Sequence, residues 1–205
     1  MINKLLNRCK DNTMDLLYHL YKTDRYFPKS CGSVSMALAL MLYNADDNSE
    51  YDISYIRGHF INENEDEHCY CIEIEEDFNR FSDLSEFKCV NCGCDYIVEH
   101  SWVEVKNKKT DENVILDFTS IQFIEAFSDC YYEILESNFN KSQLYNYLKR
   151  LSKFIISAND SEYEKYIKSK KKLDGKHIYD KTVETISENS VSDLTVLLEA
   201  INYKL

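Results

Sequence analysis

The sequence predicts an α+β fold in which one buried helix packs on an antiparallel sheet and a helical extension follows. Three observations carry this. Residues 31–43 hold an apolar stripe at helical spacing, with more apolar residues around the back. Between residues 51 and 118 the apolar period changes to two, and from residue 120 onward it returns to helical. With 205 residues, 44% of them hydrophobic and 13% aromatic, the chain can bury enough apolar surface to offset the entropy of ordering it.

Taken in order, Leu5, Leu6, Cys9, Leu16, Leu17, Leu20 and Tyr21 predict one or two amphipathic helices over residues 2–22. Thr23 to Ser30 reads as a linker containing the only proline, Pro28. Val34, Ala37, Leu38, Met41 and Leu42 form an i, i+3, i+4, i+7, i+8 stripe, and Ala39 and Leu40 widen it, so the helix starting at Cys31 is expected to be central and buried. Strands are expected over Tyr51 to Ile61 with Gly58 inside, Tyr70 to Glu75, Tyr96 to Val105 and Val114 to Phe118. The polar Lys106 to Asn113 makes a hairpin loop. Leu144, Tyr147, Leu148, Leu151, Phe154 and Ile155 predict another amphipathic helix. Ile178, Val183 and Ile186, then Leu194, Leu197, Leu198 and Ile201, predict two more. The division is residues 1–135, with a Cys-rich insertion at about 62–95, followed by a helical extension over 136–205.

Charge narrows the function. Residues 1–135 carry 26 Asp and Glu against 12 Lys and Arg, a poor surface for nucleic acid. The acidic run from Glu63 to Asp77 reads as a solvated loop and hairpin edge, and Lys165 to Lys176 as a solubilising helix face. No stretch approaches the ~20 apolar residues of a membrane span. Four glycines argue against a Gly-rich phosphate loop. The first ten residues lack the apolar core of a secretory signal, so a cytoplasmic setting is expected, with no nucleic-acid or membrane partner.

Three strings carry chemistry. Ser30-Cys31-Gly32-Ser33 starts the buried helix, where the helix dipole and free N–H groups favour a thiolate and can bind an oxyanion. His100-Ser101-Trp102-Val103-Glu104-Val105 lies in the clearest strand, and a thiol acyl-transfer site needs such a base within hydrogen-bond range. Leu116-Asp117-Phe118-Thr119 ends the next strand, with Gln122 three residues on; a hairpin would set Asp117 beside His100 as the group that orients the imidazole. Each also has a plainer role: a buried thiol at a helix start, a core histidine, a turn or cap carboxylate.

Together these strings resemble the transglutaminase-like superfamily of papain-fold cysteine enzymes over residues 20–125. The shared features are a Cys at the start of a buried helix, a His-x-Trp string in a strand, an Asp-x-Thr string at the next strand end, and the order Cys, His, Asp. The resemblance implies a papain-like fold, Cys31 as nucleophile, His100 as base and acid, and Asp117 as orienter. It also implies acyl transfer on a protein or peptide substrate: amide hydrolysis by a protease, deamidation, transamidation or small-acyl transfer. A non-enzymatic interaction module on the same fold is the alternative.

The cysteine cluster is separate. His68-Cys69-x-Cys71 is followed by Cys89-x-x-Cys92-x-Cys94, so five of the eight cysteines fall within 26 residues. Cys69, Cys71, Cys89 and Cys92, or Cys94 in place of one, match the spacing of a structural zinc site. Such a closed Cys₄ set would leave no open position for catalysis. A disulfide pair or free thiols are the alternatives. No cofactor is expected for catalysis.

Overall fold

The computed structural model describes residues 2–22, 30–61, 97–124, 127–188, 190 and 192–205. The N-terminal helices are α1 (Ile2–Arg8) and α2 (Lys10–Lys22). The central helix is α3 (Cys31–Ala45), which has no charged residue and buries every side chain from Val34 to Leu42 except Met36. Its apolar circumference is what a helix covered on all sides requires. Beyond Ala45 the Asp46 carboxylate accepts the N–H groups of Glu50 (3.0 Å) and Tyr51 (2.9 Å), turning the chain into the sheet.

The sheet has five strands in the order β4-β3-β2-β1-β5, all antiparallel: β1 (Tyr51–Ile61), β2 (Ile97–Asn107), β3 (Asn113–Leu116), β4 (Ile155–Ser157) and β5 (Tyr166–Asp174). Period-2 alternation sorts its side chains. Tyr51, Ile53, Tyr55, Val103, Val105, Val114 and Leu116 join α3 and the helices around it in the main core. Ile56, Phe60, Trp102, Ile115, Ile156 and Tyr166 form a smaller, aromatic core on the other face. Gly58 is required between them. A Cβ there would lie 2.3 Å from the Ile167 carbonyl oxygen and 2.5 Å from the Trp102 ring, so both β5 and the indole close on bare backbone.

Four more helices complete the described chain: α4 (Phe127–Glu136), α5 (Lys141–Leu151), α6 (Gly175–Ser187) and α7 (Asp193–Ala200). Asn140 and Gln143 form a reciprocal capping box at the start of α5, while Asp174 and Ser192 cap α6 and α7. Leu144, Tyr147, Leu148, Ile178, Leu197 and Leu198 bury their side chains in the main core.

The α+β class is as expected, and so are the strands beginning near residues 51, 97 and 113. The helical extension over 136–205 is not wholly helical, which is a correction. Both edge strands of the sheet, β4 and β5, come from it, so the expected division near residue 135 does not separate two bodies of structure. The helix expected to reach Ile155 stops at Leu151. Ser152 is extended (ψ 158°), and Phe154 and Ile155 pass into β4. Lys165 to Lys176 is chiefly strand rather than helix. The expected strand at 70–75 and the insertion at 62–95 lie outside the described residues.

Candidate active site

β3 stops at Leu116, opposite Val103, so the β2 residues before Val103 have no β3 partner in register. There the chain leaves the sheet, and the Asp117 N–H bonds the Phe154 carbonyl (3.0 Å). The carboxylate meets the His100 ring, Nε2 to Oδ2, at 2.7 Å, with His100 1% and Asp117 0% exposed. The hairpin between them sets this contact.

Three further donors hold Asp117. The Thr119 N–H and hydroxyl both donate to Oδ1 at 2.9 Å, which is the physical content of the Asp-x-Thr string. The Tyr166 hydroxyl donates to Oδ2 at 2.8 Å, sharing that oxygen with His100. Tyr21, fully buried on α2, donates to the Phe118 carbonyl at 3.2 Å and so fixes the backbone just after Asp117.

Burial alone would make Asp117 a weaker acid, but the His100 charge and the bonds from His100, Tyr166 and Thr119 overcome it and lower its pKa. Burial likewise opposes charge on His100. The Asp117 charge and hydrogen bond, with a further contribution from the Cys31 thiol, nevertheless raise the ring to about 9. The shift favours the imidazolium form of His100. Aromatic rings enclose it: Phe123 meets it edge-on at 4.8 Å, Phe60 at 6.1 Å, and Trp102 lies near-parallel at 6.3 Å.

Cys31 is the first residue of α3, after the N-cap Ser30, and is partly exposed with a free thiol. The first intrahelical bond runs from the Val34 N–H to the Ser30 carbonyl at 2.9 Å, so the N–H groups at the helix start point outward. The Ser35 hydroxyl ties α3 to β2 by donating to the Ser101 carbonyl (2.9 Å), and the Tyr55 and Ser101 hydroxyls bond each other at 3.1 Å. The Tyr55 hydroxyl is 3.8 Å from where a Cβ on Gly32 would stand. On the ring's other nitrogen, Gln122 Nε2 is 3.5 Å from His100 Nδ1.

Of the three residues named from the sequence, His100 and Asp117 meet in a hydrogen bond, and the Cys31 thiol acts on the same ring. The proposed ligands Cys69, Cys71, Cys89 and Cys92, with Cys94, lie outside the described residues. Among the described residues no group of three or more His, Cys, Asp or Glu is placed to hold a metal ion. Sequence reasoning missed Tyr166 because it sits at the head of a lysine-rich run. It missed Tyr55 and Tyr21 because each occupies an ordinary core position in its element.

No protein-family model, curated protein or solved structure matches the chain.

Proposed function

We propose that the protein is a cysteine-dependent acyl-transfer enzyme with a papain-like, transglutaminase-like site. In this reading Cys31 is the nucleophile, His100 the acid and base, and Asp117 the orienter, acting on an amide of a protein or peptide. One observation carries the reading: a buried imidazole, bonded through Nε2 to a fully buried carboxylate, feels the thiol at the start of a buried helix. Nothing in packing calls for a buried histidine and carboxylate where β3 ends beside β2, since an apolar pair of similar volume is often at least as stable.

The thiolate of Cys31 attacks the carbonyl, and the outward N–H groups at the start of α3 receive the oxyanion. His100 gives its proton to the leaving amine. A thioester on Cys31 remains; His100, now neutral, takes a proton from water as the water attacks, and collapse of the intermediate breaks the C–S bond, releasing the acid and returning the Cys31 thiolate. Asp117 on Nε2 keeps Nδ1 as the nitrogen that exchanges protons and stabilises the imidazolium between steps. With water as acceptor the net reaction is hydrolysis or deamidation, and with an amine it is transamidation.

An activated ester tests this. p-Nitrophenyl acetate should release a burst of nitrophenolate of about one equivalent and leave an acetyl group on Cys31, detected by mass mapping. Cys31→Ser should abolish the burst, and His100→Ala should reduce its rate at least ~100-fold. No adduct on Cys31, or an adduct formed equally fast without His100, would leave an interaction module as the better account.

The spacing of Cys69, Cys71, Cys89 and Cys92 supports a structural zinc, a separate proposal that rests on the sequence.

A further inference from the structure

We propose that Tyr166, from the C-terminal edge strand β5, is a positioning residue of this site: its phenol fixes the Asp117 carboxylate and divides Oδ2 between itself and His100. The proposal rests on the acyl-transfer reading for its catalytic meaning, but its geometry stands independently. Tyr166 is 5% exposed, its hydroxyl is 2.8 Å from the oxygen that also accepts from His100 at 2.7 Å, and its ring packs edge-on against Phe60 (5.0 Å) and Trp102 (5.2 Å). β5 pairs with β1 so that Tyr166 stands opposite Phe60, and the register shift between Arg57 and His59 falls at Gly58, where a Cβ would meet the Ile167 carbonyl of β5. A side chain larger than hydrogen at residue 58 would push β5, and the phenol with it, away from Asp117.

Two donors on one carboxylate oxygen compete for its electron density. The bond from Tyr166 leaves Oδ2 a weaker partner for the imidazolium, so it holds down the basicity that Asp117 confers on His100. That restraint matters for a group that must release its proton to a leaving amine and then take one back, since the best acid–base catalyst titrates near the working pH. The other groups near the pair are Cys31 from α3, Thr119 from the turn after β3, Gln122 at Nδ1 and Tyr21 from α2, and Glu162 acts on Tyr166 from the turn before β5. Among the described residues, His100 and Tyr166 are the donors to Oδ2.

The test is Tyr166→Phe in the full-length protein, with the His100 ring titrated by NMR and Tyr163→Phe as control. Tyr163 is a neighbouring tyrosine whose hydroxyl bonds Glu104 and Asn113 instead. Removing the Tyr166 hydroxyl should raise the His100 midpoint by at least ~0.5 unit, about threefold in proton affinity. Tyr163→Phe should leave it in place. An unmoved midpoint in Tyr166→Phe, or an equal shift in both variants, would make Tyr166 a packing residue only and overturn the proposal. Because the readout is the ring itself, it holds whether or not the protein turns over an acyl substrate.

Discussion

Asp117 accepts four hydrogen bonds from three residues while wholly out of water, and that dictates how the protein responds to pH. His100 is raised above its ordinary 6.5, so its contribution to stability is full below about 6.5 and is lost as pH rises through about 9. Asp117 is lowered below 3.8, so its contribution is present above that value and is lost as pH falls through its depressed pKa. The pair therefore stabilises the fold most between these limits. Asp117→Asn should lower the melting temperature near pH 6, and the gap from wild type should narrow as pH rises from 7 to 10. A gap that stays constant over that range in calorimetry would contradict the raised His100. The same variant should retain the fold yet cost about 10³-fold or more in acylation, because an amide can select the wrong tautomer.

At the scale of elements, α3 and the β2–β3 hairpin were legible in the sequence because their periodicity is strong and local, and the three site residues lie at their ends. β4 was hidden by its three-residue length and β5 by its lysines, so a pattern reading took both for helix. Tyr166 was illegible for the same reason: its role depends on a pairing with β1 across more than a hundred residues, which no local pattern encodes. Gly58 showed in the sequence only as a glycine inside a strand. Its need is set by Trp102 and β5 together. Gly58→Ala should thus destabilise the protein by about 1–3 kcal/mol or more by overpacking, measured by urea unfolding. An effect within ~0.5 kcal/mol would mean that β5 yields at no cost.

Across the whole molecule, one sheet joins the two halves of the chain, so the site's carboxylate clamp depends on residues from both. Ending the chain after Asn140 removes both edge strands, Tyr166 and the α5, α6 and α7 side chains of the main core. The product should aggregate, and a soluble monomer with unchanged melting temperature would contradict this placement. If the Cys-rich insertion binds zinc, metal analysis of the purified full-length protein should find about one zinc per chain, and a chelator should lower its melting temperature. A metal-free protein with all its thiols titrating would remove that proposal without touching the acyl-transfer site. The most direct test of that site is a competition for limiting iodoacetamide at mildly acidic to neutral pH, mapped by mass. Cys9 is buried at the junction of the two N-terminal helices, and burial raises its thiol to about 11, so it should label last. Cys31 should label at least ~10-fold faster than Cys9 or Cys130, and His100→Ala should remove most of that advantage. Cys31 labelling no faster than Cys130, with a pH profile unchanged by His100→Ala, would contradict a nucleophile activated by His100.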